Sequence, residues 1–267
     1  MSSTVDSGHS SHGIYWERRG SGPLLTLVIG FGQDSSAWQF VVRELEHDFE
    51  LVLVDNRGAG RSPNLEESFG LEDLADDVIG VLDELEVSRT AIAGQSMGGA
   101  IAQLVALKRP ELISELILVN SFARLPTAPR FAFEGVYGLL THDTALDDVI
   151  ANLAPWIYSG EFLEVPGRTA ELVEAAAANP HPQPVHSYRA QLDAINAFDS
   201  SPHLTDIAHP TLVIGGIEDL VAPPTATNVL ADGIPDATLT FLNTGHASHI
   251  EEPGQVADTI REFLRRS

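Results

Sequence analysis

Cysteine is absent from the 267 residues, which excludes disulfides, thiolate zinc sites and a thiol nucleophile together. A chain of this length buries most of its unfolded surface, so its core needs neither a disulfide nor a metal. Lysine is nearly absent as well: Lys108 is the single one. Basic residues number 15 against 38 acids, a formal charge of −23, which sets nucleic acids and anionic membranes aside as partners. The acid surplus fits a high-salt habitat, where screening relieves self-repulsion. The acidic, lysine-poor composition as a whole fits more simply a GC-rich genome, which favours Arg codons over Lys codons. Long apolar runs are also missing. No stretch approaches the ~20 apolar residues of a membrane helix, and the start, MSSTVDSGHSSHG, lacks the basic and apolar regions of a signal peptide. These absences point to a soluble, cytoplasmic protein. Monomer and homo-oligomer both stay open.

What is present is an alternation of strand and helix patterns. Residues Ile14–Arg18, Leu24–Gly30, Leu51–Asp55, Thr90–Ala93, Leu116–Val119, Leu212–Ile214 and Thr238–Leu242 read as strands. Ala37–Glu46, Leu71–Leu85, Met97–Arg109 and Pro253–Arg265 read as helices. Such alternation predicts an α/β fold, a mostly parallel central sheet with helices on both faces. Between Arg124 and Asp206 no strand pattern occurs. Helical patches at Thr144–Leu153, Arg168–Ala178 and Val185–Phe198 stand there instead. The span is too long for a loop in a compact domain and reads as a helical insertion.

The stretch AIAGQSMGGAIAQ, residues 91–103, places Ser96 where a strand ends and a helix begins. A serine at such a turn stands clear of the sheet, beside helix N–H groups that favour developing negative charge. The turn is tight, so glycine suits its flanks. Gly94-Gln95-Ser96-Met97-Gly98 has the spacing of a nucleophile elbow. A serine hydroxyl is a weak nucleophile near neutral pH and needs a base oriented by a carboxylate. Both partners belong just past strand C-termini. Asp219 in TLVIGGIEDLVAPP fits as the acid, with Glu218 one residue away as its rival. His246 in TLTFLNTGHASHIEEP fits as the base, with His249 as its rival. The two histidines as a metal pair lack a third ligand at matching spacing. An oxyanion hole needs a donor beside the Met97 N–H, and the Phe31 N–H after the early strand LTLVIGFG supplies one.

Five pieces in this order carry a resemblance: IGFGQDSSAW, DNRGAGRS, GQSMGG, GGIEDLVAPP and GHASHIEEP. With them the chain resembles the α/β-hydrolase superfamily along nearly its whole length. The resemblance implies an α/β-hydrolase core at 1–123 and 207–267 and a helical cap at 124–206. It implies Ser96 as nucleophile, Asp219 as triad acid, His246 as base, and oxyanion N–H groups from Phe31 and Met97. It implies no metal and no cofactor. DNRGAGRS, with Asp55, Arg57 and Arg61, reads as a structural turn. One departure stands out. Members of the superfamily usually carry His-Gly at the start of the oxyanion loop, and here Ile29 precedes Gly30, which puts the loop's support in doubt; Gln33 and Asp34 are the near substitutes.

The expected reaction is hydrolysis of an ester or lactone through an acyl-enzyme. The elbow and the length are similar to 3-oxoadipate enol-lactonases and related carboxylesterases. Relatives with the same triad cleave C–C bonds, transfer acyl groups or act as cofactor-free perhydrolases. A secondary-metabolism enzyme and a non-catalytic ligand-binding protein on the same fold stay open too. Ser96 disfavours an epoxide hydrolase or dehalogenase, which use a carboxylate nucleophile. Candidate substrate contacts are Gly30, Trp38, Trp156 and Tyr158. The aromatics Phe131, Phe133, Tyr137, Phe162, Tyr188 and Phe198 suit an apolar pocket or the packing of the insertion. Arg124 and Arg130 are candidates for a substrate carboxylate or plain surface residues.

Overall fold

A computed structural model describes residues 5–64 and 67–266. The chain runs through β1 (Asp6–His9), β2 (Tyr15–Gly20), β3 (Leu24–Val28), α1 (Gln39–Leu45), β4 (Glu50–Val54), α2 (Leu71–Glu84), β5 (Thr90–Gln95), α3 (Met97–Lys108) and β6 (Ile113–Val119). Five helices follow without a strand: α4 (Thr127–Thr141), α5 (Leu146–Ile157), α6 (Gly160–Glu164), α7 (Arg168–Ala177) and α8 (Val185–Ala197). The sheet resumes with β7 (Thr211–Gly216), then α9 (Pro224–Gly233), β8 (Ala237–Leu242), α10 (Ser248–Glu251) and α11 (Pro253–Leu264). This is an α/β-hydrolase fold. No helix among the described residues is long and apolar enough to cross a membrane.

The strands form one sheet in the order β1-β2-β4-β3-β5-β6-β7-β8. β1 and β2 run antiparallel at one edge, and β4 through β8 are parallel. Side chains alternate across a strand, and this sorts the core into two layers. Val28, Val52, Ile92, Leu118 and Val213 face a layer shared with α2, α3 and Leu230 of α9. Leu27, Leu53, Ala93, Ile117 and Ile214 face the other, packed on Val42 and Leu45 of α1 and on Val256 and Ile260 of α11. Each fully buried Leu or Ile contributes about 1.5–3 kcal/mol, so burial on both faces explains the nearly continuous apolar runs of the central strands.

β3 and β5 are neighbours, yet the chain leaves them toward opposite edges of the sheet: β3 is followed by β4 on one side and β5 by β6 on the other. That reversal opens a crevice at their C-terminal ends, the position where open α/β sheets bind ligands. The loop after β3 and the turn after β5 border it.

Several elements differ from the sequence expectation, four of them for a plain physical reason. Ala37–Glu46 divides into a 3-10 turn, Ser35–Trp38, and α1, with Asp34 capping the turn through the Ser36 N–H. α4 forms despite Gly135 and Gly138, because Pro129, Phe133 and Val136 bury one face. α9 opens on two prolines, Pro223 at its N-cap and Pro224 as its first residue. β1 is a polar edge strand, and edge pairing needs no apolar pattern.

Candidate active site

Ser96 follows β5 directly and caps α3 with φ +53° and ψ −118°, a backbone region that non-glycine residues rarely occupy and that costs about 1–3 kcal/mol. Its N–H bonds the Val119 carbonyl and its carbonyl accepts from Ser121 Oγ, so the end of β6 and the turn just after it hold the strained residue from both ends. The flanking glycines have a direct cause. A Cβ on Gly94 would lie 2.2 Å from the Gly98 carbonyl, and one on Gly98 would lie 2.2 Å from the Val28 carbonyl. Backbone meets backbone at both points, and no side chain fits.

Three side chains from three loops meet beside this turn. His246 Nε2 lies 2.8 Å from Ser96 Oγ. His246 Nδ1 lies 2.9 Å and 3.1 Å from the two carboxylate oxygens of Asp219. With Nδ1–H donating to the carboxylate, Nε2 carries the lone pair that accepts from the serine hydroxyl. Ser96, Asp219 and His246 are all buried. Asp219 Oδ1 also accepts from the Val221 and Ala222 N–H groups, each at 2.8 Å, and Oδ2 accepts from Asn120 Nδ2 at 3.0 Å. Every face of the buried carboxylate is therefore hydrogen-bonded, as a buried charge requires.

The rivals are elsewhere. Glu218 turns away to accept from the Gly160 N–H at 2.9 Å. His249 is wholly buried with its ring 5.3 Å from that of Trp38, and among the described residues neither of its nitrogens has a hydrogen-bond partner. Burial, with a smaller contribution from His246, pushes its pKa down to about 3. Among the described residues no group of three or more His, Asp and Glu side chains is placed to hold a metal.

The loop after β3 brings Gly30 against the serine: a Cβ there would lie 3.0 Å from Ser96 Cβ. Phe31 follows, its ring 4.6 Å from Tyr188 and 5.4 Å from Phe133 in the helical insert. Met97 opens α3, so its N–H is among the first-turn donors without an intrahelical acceptor. Trp156 is half-buried against the core. Tyr158 stacks on Phe162 at 4.8 Å, and burial, helped by the charge of Glu251, raises its hydroxyl to about 12. Trp38 corrects the expectation of a substrate contact. It is fully buried in the layer with α1 and α11, because the 3-10 turn rotates it into the core. Arg124 is exposed, and Arg130 is spent on the Leu125 and Asn196 carbonyls. Asp55 anchors a structural turn: it accepts from the Ser35 N–H and from Arg61. Burial alone would raise its pKa, but those hydrogen bonds outweigh it and hold the carboxyl below its ordinary value.

Several residues without a role in the sequence expectation complete the site. Asn120, in a left-handed conformation at φ +48°, donates to both Asp219 and the Gly245 carbonyl, at 3.0 and 3.1 Å. Gln95 Nε2 donates to the His246 carbonyl at 3.1 Å. The His246 N–H bonds the Ile157 carbonyl of the insert at 2.7 Å. Glu251 accepts from Ser159 Oγ and from the Gly245 N–H, and burial lifts its pKa despite them. Asn120 does carry a signal in the sequence, a polar residue ending the apolar run LILV; the others carry none without knowledge of the fold.

Comparison with known proteins agrees with this architecture. A family model described as alpha/beta hydrolase fold matches residues 23–253. The "Putative carbamate hydrolase RutD" of Rhizobium rhizogenes is 32% identical over 246 residues, covering 90% of this chain and 92% of that protein. The enol-lactonase of Burkholderia xenovorans superposes with a TM-score of 0.85 at 25% identity, covering 97% of this chain and 100% of that one. A thermophilic esterase from Thermogutta terrifontis superposes with a TM-score of 0.83 at 25% identity, with 98% of each chain covered.

Proposed function

Because the chain belongs to the alpha/beta hydrolase family and is a hydrolase of that fold, we propose that it cleaves an ester or lactone of a small or medium apolar molecule through an acyl-enzyme on Ser96. One observation carries this reading: an unbroken line of hydrogen bonds from Ser96 Oγ through His246 to Asp219, at 2.8 and 2.9 Å, aligned at a helix N-terminus.

In this mechanism His246 Nε2 takes the hydroxyl proton as Ser96 Oγ attacks the substrate carbonyl. Asp219 holds the tautomer and stabilises the imidazolium that forms. The negative charge that develops on the carbonyl oxygen is met by the Met97 and Phe31 N–H groups. His246 then returns the proton to the leaving alcohol, or to the ring oxygen of an opened lactone. Water, deprotonated by the same nitrogen, attacks the acyl-enzyme; the bond between the acyl carbon and Ser96 Oγ breaks, His246 returns the proton to Oγ, and the acid leaves. The insert acts as the cap, presenting Phe133, Tyr137 and Tyr188 beside Phe31, which favours an apolar acyl group.

The name of the Rhizobium relative supports a second reading, hydrolysis of a carbamate. The first half is unchanged, and the covalent species is a carbamoyl-serine in place of an acyl-serine. Intact-mass analysis after mixing with matched activated esters, lactones and carbamates separates the two. The ester reading predicts transient acyl adducts on Ser96 and multiple turnovers of esters or lactones. Turnover of carbamates alone would move the assignment to the second reading. Turnover that persists in Ser96→Ala would remove both.

A further inference from the structure

The loop after β3 is held from above by an amide of the helical insert. We propose that Gln191 of α8 is a positioning residue for the oxyanion loop, so that the seated insert builds half of the oxyanion hole. The proposal rests on the serine-hydrolase reading.

Gln191 is wholly buried, and a buried primary amide is costly unless its donors and acceptor are used. Its Oε1 accepts from the Gly32 N–H at 3.3 Å and from Gln183 Nε2 at 2.9 Å. Its Nε2 donates to the Arg57 carbonyl at 2.8 Å. Gln183 Nε2 reaches the Gly58 carbonyl as well, at 2.8 Å. Two amides of the insert thus engage the backbone of two loops at the C-terminal edge of the sheet, and Gln191 bridges them.

The same DNRG turn holds the loop from below. Asn56 Nδ2 donates to the Ile29 carbonyl at 2.8 Å, and Asp55 accepts from the Ser35 N–H at 2.8 Å. Ile29, Gly32 and Ser35 are therefore each tied, and Gly32 at φ +74° is the point of the turn. With the Gly32 N–H bound to Gln191, the Phe31 N–H is the donor assigned to the oxyanion. Tyr188, one turn before Gln191 on the same face of α8, packs on the Phe31 ring. One helix face thus grips the side chain of Phe31 and the backbone of Gly32. A leucine at 191 would satisfy packing but could not hold the Gly32 N–H. A displacement of about 1 Å at a positioned group costs on the order of 10²-fold in rate, so the amide affects the chemical step more than binding.

The test compares wild type with Gln191→Met, Gln183→Met and the double variant. Three quantities are read: amide exchange in the 29–37 segment, the rate of Ser96 labelling by a fluorophosphonate, and kcat and KM on an ester that turns over. Gln191→Met is expected to speed exchange at Gly32 and to lower kcat and the maximal labelling rate by about 10- to 100-fold, with KM within about threefold. Gln183→Met, which removes the amide that supports Gln191 together with its own bond to the Gly58 carbonyl, gives a smaller loss of the same kind, and the double variant stays close to Gln191→Met because Gln183 reaches the oxyanion loop through Gln191. Unchanged exchange, or a loss that disappears when corrected for the folded fraction, or a change confined to KM, overturns the proposal. If Gln191→Met does not fold, Gln183→Met decides alone, and an unaltered kcat there overturns it. A folded wild type that is never labelled overturns the serine-hydrolase reading itself, and the exchange arm still reports whether Gln191 holds the loop.

Discussion

The two sides of Ser96 are built by different physics. On the acid-base side a charge is buried, and its stabilisation is local to the sheet. Asp219 takes two N–H groups from its own loop, an amide from the end of β6 and the imidazole from the loop after β8. On the other side the groups that hold Ile29 and Gly32 are neutral amides, and the Asp55 carboxylate reaches only the far end of the loop, at Ser35. The loop after β3 turns through Gly30, Phe31 and Gly32, and its shape depends on amides from Asn56, 27 residues from the Ile29 it holds, and from Gln191, 159 residues from Gly32. A buried charge demands strong, short-range partners, which strand ends supply. A flexible backbone needs only neutral donors and acceptors, which can come from anywhere in the fold. The acid-base side should therefore fail sharply under mutation, and the loop side by degrees.

The largest expected effect belongs to the line of three. Ser96→Ala and His246→Ala should each lower kcat on esters by about 10^5-fold or more while the circular dichroism spectrum is retained, and combining them should cost little beyond either alone, because they act as a unit. Asp219→Asn should lose about 10^4-fold, since an amide cannot hold the tautomer. A loss of less than tenfold in any of these would contradict the account.

Asn120 sharpens the comparison. Asn120→Leu should lower kcat by about 10- to 100-fold at constant KM, through loss of carboxylate orientation. Asn120→Asp adds a second negative charge beside Asp219. That charge favours the imidazolium, so the acid limb of kcat/KM should move to higher pH. A pH-rate profile identical to wild type would reduce Asn120 to a packing role.

The smallest effect concerns stability alone. His249 has a folded pKa near 3 against about 6.5 unfolded, so the unfolded chain binds its proton first. Stability from keeping it neutral is complete above about pH 6.5 and is lost as pH falls toward 3, about 2 kcal/mol of it by pH 5. His249→Leu should flatten that part of the stability-pH curve, measured by urea unfolding between pH 7 and pH 5, and leave kcat near wild type. An unchanged slope would show that His249 is protonated or hydrated in the folded protein.

These contrasts also explain what could be read without the fold. Strand runs such as LVLVD and the helical stripe of Leu71–Leu85 are periodic because burial imposes a period. Ser96, Asp219 and His246 stand at strand ends, where position and chemistry coincide. Trp38 was ambiguous because one residue of turn geometry decides whether it faces core or crevice. α4 was hidden by its two glycines, whose cost its apolar face offsets. Gln191 sits 159 residues from Gly32, and no local pattern marks a glutamine as a backbone ligand. Ile29 signalled only that the loop needed other support. Neither near neighbour, Gln33 nor Asp34, holds the Gly32 N–H: Gln191 does, and Asp34 caps the following turn.

The most direct test of the central claim is covalent labelling of the intact protein with a fluorophosphonate, followed by mapping of the adduct by mass spectrometry. The account predicts one adduct, on Ser96, absent in Ser96→Ala and slowed by orders of magnitude in His246→Ala. A folded wild type that takes up no probe, an adduct at another residue, or labelling of Ser96 at an undiminished rate without His246 would contradict it.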